Sequence, residues 1–247
     1  MPCTLHGQND FAKAQDTITR FWTDASQWGR SSDPQELEDR HQRAIALPEL
    51  VQGQLTSGII AYLNETPDSS AEALKAKLAR ALTPPTLGNQ TIDNAVDVIV
   101  ANSGDSVYVA YDVTYCASCS RSWLGEFSRG GGVFHLQAVS RSPSQDTSVH
   151  LALLGSSSSN PVLVLYGLHW GDPHNRSEVK VFSMDGKLQE LWSKSELWQG
   201  NVSIDGDELK LVFLSDFTSD AQEITETYEL RSNQLIETNR AIGPSRK

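Results

Sequence analysis

The sequence predicts an α+β fold: an N-terminal helical segment packed on a mainly antiparallel β region built from three four-stranded meanders. Three observations predict it. Apolar residues recur at helical spacing as far as about residue 83, the pattern turns to period two from residue 89, and a strand-rich pattern then repeats three times between about 95 and 240. The implied division places a helical portion at 1–88 and an antiparallel repeat domain at 89–247.

The helical elements follow in order. Phe11, Ile18, Phe21 and Trp22 make one apolar face. Asp33 offers an N-cap oxygen, Pro34 suits the first helical position, and Glu36 stands three residues after the cap. Leu50, Val51, Leu55, Ile59, Ile60 and Leu63 form a second apolar stripe after Pro48. Ser69 with Glu72 starts a third helix, whose inward face is Leu74, Leu78 and Leu82 and whose end is set by Pro84 and Pro85. Three or four helices result.

The strands carry their own punctuation. Val107, Val109, Tyr111 and Val113 alternate, as do Phe134, Leu136 and Ala138, and Asp185-Gly186 and Asp205-Gly206-Asp207 give hairpin signals because they tolerate positive φ. Arg129-Gly130-Gly131-Gly132 reads as a hairpin connection and Ser156 to Ser159 as a loop. Taking Val107, Val162 and Leu209 as equivalent strand starts gives offsets of 55 and 47 residues, the length of a propeller blade. Three units are fewer than a closed propeller needs, so the expectation is either a curved or sandwiched sheet or a set of blade-like units.

Charge narrows the function classes. The chain has 31 acidic against 20 basic side chains and a net charge of −11, which repels phosphate backbones and anionic headgroups, so neither nucleic acid nor membrane insertion is expected. The longest apolar runs are far shorter than the roughly 20 residues of a membrane helix, and the chain reads as soluble. Four N-x-Ser/Thr sequons, at Asn64, Asn89, Asn175 and Asn201, favour an extracytoplasmic or secreted location with a removed leader over a cytoplasmic one.

Candidate chemistry gathers on the loops between the second and third strands of each unit. The first holds Cys116 and Cys119, the second His169, Asp172 and His174 in His-Trp-Gly-Asp-Pro-His, and the third Asp216 and Asp220. If equivalent loops share a rim, Cys116, Cys119, His169 and His174 have the ligand types of tetrahedral zinc. The cysteine pair alone also suits a small disulfide. Trp123, Trp170 and Asp172, with Trp192 and Trp198, lie near strand ends where rim aromatics receive a ligand or partner. Glu223, Glu226 and Glu229 read as a solvated sheet face, and His135 and His150 as structural histidines on strands. The resulting expectation is a non-enzymatic binding or protein-interaction module with a protein or small-molecule partner. The alternative is a zinc protein or a hydrolytic or redox enzyme using the Cys116, Cys119, His169, His174 cluster.

Overall fold

The computed structural model describes residues 6–83, 94–101, 104–116, 119–140, 149–156, 160–168 and 176–245. Among these described residues three helices precede eleven strands: α1 (His6–Ser26), α2 (Pro34–Glu65) and α3 (Ala71–Leu82), then β1 (Val96–Ala101), β2 (Ser106–Cys116), β3 (Cys119–Gly130), β4 (Val133–Val139), β5 (His150–Leu154), β6 (Val162–Leu168), β7 (Arg176–Phe182), β8 (Glu190–Asp205), β9 (Glu208–Leu214), β10 (Gln222–Arg231) and β11 (Gln234–Ser245). The strands form one four-stranded and one seven-stranded sheet, each in sequential order. Every pairing is antiparallel, as short connections require.

Local chemistry sets the helix ends. Asp33 caps α2 by accepting from the Gln35 amide at 2.9 Å, with Pro34 in the first turn. The expected reciprocal contact of Glu36 does not form: its carboxylate takes the Ser31 hydroxyl and the Arg40 guanidinium instead. The cap of α3 is Ser70, one residue later than expected, and its oxygen accepts from the Ala73 amide. Pro48 does not divide α2, which runs through it for 32 residues. Burial of Leu47, Pro48, Val51, Leu55, Ile59 and Leu63 on one face outweighs the missing hydrogen bond. Leu50 falls off that face and is exposed, contrary to the sequence reading. Gly58 sits where an added Cβ would lie 3.1 Å from the Phe11 ring, so the bare backbone lets α1 close on α2.

The helices and the first sheet share one core. Ile18, Leu55, Ile59, Leu74 and Leu78 join Val107, Val109, Tyr111, Trp123, Phe127 and Phe134 in a single cluster, so apolar packing crosses the 88/89 boundary. At roughly 1.5 to 3 kcal/mol per buried side chain, this layer is a major part of the fold's stability. The opposite face of the same sheet presents Tyr108, Ala110 and Leu124 to Leu151, Leu163, Leu165 and Phe182 of β5–β7. Asp97 fastens the layers: one oxygen receives Lys75 of α3 at 2.9 Å and the other receives the Leu151 amide at 2.9 Å. Asn64 of α2 clamps the β4 backbone, accepting from the Phe134 amide at 2.7 Å and donating to its carbonyl at 3.0 Å.

The second and third meanders are not separate sheets. The sequence pattern divides the second unit, which closes on Lys194, from the third, which opens on Asn201, but β8 is a single strand of 16 residues that spans both. Its first part, to Trp198, pairs with β7, and its last part, from Trp198, pairs with β9. A strand that serves two partners in succession turns a corner. The bend is marked by positive φ at Glu196 and Gln199, and by Gly200, where a Cβ would come within 2.7 Å of the Leu197 side chain. The two halves of the sheet then share a core of Val162, Val164, Val179 and Val181 with Leu209, Leu211, Phe213, Ile224 and Tyr228. Among the described residues no helix lies between 149 and 245. Among the described residues no helix is long and apolar enough to cross a membrane.

Candidate functional site

Strand register brings two of the loop positions together. Trp198 of β8 lies opposite Arg176, where β7 begins after residues 169–175, and opposite Leu214, where β9 ends. The end of the sheet at which the second unit's loop joins β7 is therefore the end that carries the third unit's loop, 215–221. On this rim the Arg176 guanidinium lies 5.2 Å from the centre of the Trp198 ring. The Phe217 ring meets the same indole edge-on at 5.3 Å. Phe217 remains 58% exposed.

The loop that presents Phe217 is built from its own polar residues. Asp216 accepts from the Thr218 amide at 2.7 Å and from the Thr218 hydroxyl. Those bonds, the hydroxyl first, hold its carboxyl below the usual range. The Ser215 amide donates to the Gln222 carbonyl and the Gln222 amide donates back to the Ser215 hydroxyl. Ala221 is buried beneath. Asp216 is thereby committed to shaping the turn, which fixes the direction of Phe217.

The first unit's loop is arranged differently. Cys116 and Cys119 lie opposite each other across the β2–β3 hairpin and are joined by a disulfide, so in this form neither sulfur offers a thiolate. Their hairpin leans on the helical layer: Tyr115 packs against the helix–sheet core and Arg121 pairs with Glu49 of α2 at 2.9 Å. His169, Trp170, Asp172 and His174 lie outside the described residues. Among the described residues no group of three or more His, Cys, Asp or Glu is placed to hold a metal ion. Trp123 is 6% exposed and stacks on Tyr111 at 5.9 Å within the helix–sheet core, so it is a packing residue and not a rim aromatic. Trp192 instead sits edge-on to Tyr228 at 5.0 Å, against the core of the second sheet. His135 and His150 are exposed on strands, His150 against Tyr166.

A second polar constellation lies between the two halves of the large sheet. Glu226, read from sequence as part of a solvated face, is completely buried. The three-residue spacing of Glu223, Glu226 and Glu229 alternates faces in a strand, and Glu226 falls on the inner one. Its carboxylate receives the Lys194 ammonium at 2.5 Å and the Tyr228 hydroxyl at 2.6 Å, and Arg240 stands 3.7 Å away. Burial pushes its pKa up, but these bonds and charges outweigh burial and hold it below the ordinary value. The same carboxylate, after burial, keeps the Tyr228 hydroxyl protonated far above its usual range.

Two further carboxyls, Asp112 and Glu126, are buried on the opposite face of the first sheet from the helices, where desolvation raises both pKa values. Asp112 uses one oxygen to hold the Ala95 amide, while Glu126 takes the Tyr108 hydroxyl at 3.3 Å. A cleft of about 810 Å³ opens between Gln137–Ser140, at and just past the end of β4, and the β7–β8 connection at Gly186–Glu190. Gln137 spans part of it to the Gly186 carbonyl.

Compared with known proteins, the chain matches no family model, no curated protein and no solved structure. Arg176 and Phe217 carried no sequence motif of their own. The signal that could have found Phe217 is the Asp-Phe-Thr order, in which an Asx-type turn leaves the middle side chain facing outward.

Proposed function

We propose that the protein is a non-enzymatic binding or protein-interaction module in which blade-like meanders stack behind a helical layer and display loops and aromatic side chains along a rim. The observation that carries this reading is Phe217, an aromatic ring 58% exposed yet held edge-on against Trp198, whose indole the Arg176 guanidinium also meets, by a loop with its own hydrogen bonds. Aromatic and arginine side chains are the residues that most often anchor interfaces. A preordered anchor loses little conformational freedom on binding.

Selection of a displayed random-peptide library against the wild-type protein tests this. Enriched binders should lose at least tenfold in affinity for Phe217→Ala, a change whose exposure predicts an intact fold. Binders that hold equally to both proteins, or no enrichment over an unrelated control domain, would count against the rim as the binding surface. The rival arrangement, with zinc held by reduced Cys116 and Cys119 together with His169 and His174, predicts stoichiometric zinc in the reduced protein that Cys116→Ser removes.

A further inference from the structure

The last strand of the large sheet has an open edge with an unusual symmetry. β11 is twelve residues long and pairs on one side with β10. On its other side it has no strand partner among the described residues. Thr238 to Ile242 are all exposed, Ile242 at 60%, and Ile236 is 40% exposed. β11 comes near β8 at one point, but no strand pairing joins the two. A long edge of this kind offers its N–H and C=O groups to another strand.

The register with β10 shows what kind of strand fits. Glu237 lies opposite Tyr228 and Arg240 opposite Glu226, with Thr238 the extra residue of a bulge between them. Three residues apart, Glu237 and Arg240 would ordinarily point to opposite faces, and the bulge puts both on the inner face. Leu235, opposite Leu230, and Ile242, opposite Ile224, lie on that face too. Read outward from the Thr238-Asn239 centre, the face is acid then apolar in one direction and base then apolar in the other.

We propose that β11 pairs with β11 of a second copy of this chain, antiparallel, about a twofold axis between Thr238 and Asn239. Glu237 of each copy then stands opposite Arg240 of the other, and Leu235 opposite Ile242, all on one face. Ile236 stands opposite Ala241 on the other face. Directly opposed residues across antiparallel strands are the pairs that interact, and an isologous contact satisfies every such pair twice. The Arg240 guanidinium, 3.7 Å from Glu226, sits between the buried carboxylate and the incoming one. One strand pair buries less surface than a permanent dimer, so association is reversible and depends on concentration.

Sedimentation equilibrium over a wide concentration range tests the pairing with two variants of the full chain. Glu237→Lys and Arg240→Glu each create two like-charge oppositions, and each alone should associate at least tenfold more weakly than wild type. Mixed in equal amounts they restore opposite charges at both positions, and the mixture should regain association. Hydrogen exchange of the wild-type protein supplies a readout independent of any variant: amides of residues 235–242 should gain protection as concentration rises. A wild-type protein that stays monomeric to about millimolar concentration overturns the proposal. So does a dimer indifferent to both charge changes, or one whose β11 amides exchange equally at all concentrations, because its contact then lies elsewhere.

Discussion

Replacing Lys194 by Met removes the cation that compensates Glu226 while keeping most of the side-chain volume. Glu226 is completely buried and the Lys194 side chain is 27% exposed, so the pair lies mostly outside water's screening. Removing one partner of such a pair costs about 3–5 kcal/mol. Tyr228 still donates to the carboxylate and Arg240 remains 3.7 Å away, which places the expected loss near the lower end, about 3 kcal/mol at pH 7. The pH dependence gives a second, sharper signature. In the wild type the Glu226 pKa is held below its ordinary value, so its contribution is present above the unfolded-state pKa and is lost as pH falls through the folded one. Without Lys194, burial dominates and the folded pKa rises, so stability is instead lost as pH climbs above the unfolded value. The gap between the two proteins should therefore be widest at pH 7 and narrow towards pH 4, measured by urea denaturation with tryptophan fluorescence. Lys194→Met combined with Glu226→Gln should recover most of the loss. A gap below about 1 kcal/mol at pH 7, or one that does not change with pH, would refute the reasoning.

Three other outcomes follow from the same packing. Ile59→Ala, at a fully buried position between helix and sheet, should destabilise by about 2–5 kcal/mol, while Leu50→Ala, 55% exposed, should stay within about 0.5 kcal/mol of wild type; calorimetry compares them. Cys116→Ser with Cys119→Ser opens a loop of four residues and should cost at most about 2 kcal/mol, seen as a small drop in Tm with an unchanged circular dichroism spectrum. Asn64→Ala releases two hydrogen bonds to the Phe134 backbone and should cost about 1 kcal/mol, with faster hydrogen exchange at Phe134.

Much of the architecture was legible because local chemistry and tertiary packing agree. The Asp33-Pro34 start, the Leu74 and Leu78 stripe and the Gly206 turn each state one preference, and the fold satisfies it. Where they disagree, packing prevails. Pro48 should end a helix, yet the buried ladder on either side carries α2 through it. The sequence units part between Lys194 and Asn201, but Leu197 in that interval is fully buried, and one bent strand joins two half-sheets. The Ser232-Asn233 turn, with both residues at positive φ, carries only a weak signal because neither is glycine. The site was less legible than the fold. Alternation shows that Trp123 faces one side of a sheet, but not that α2 covers that side. Strand alternation puts Glu226 in phase with Ile224 and Tyr228 rather than with Glu223 and Glu229, but nothing local shows what compensates its charge there, since its partner Lys194 lies 32 residues earlier across a bend.

The stacking of helices, first sheet and folded-over second sheet is what orients the rim, and it rests on one core crossing the interval between α3 and β1. A protease site placed within residues 84–93 tests this directly. After complete cleavage the two fragments should elute together at the mass of the intact chain and unfold in a single transition, because the leucines of α2 and α3 share one core with Val107, Val109 and Phe127 of the first sheet. Fragments that separate without denaturant, with the β portion keeping its own cooperative unfolding, would contradict the shared core.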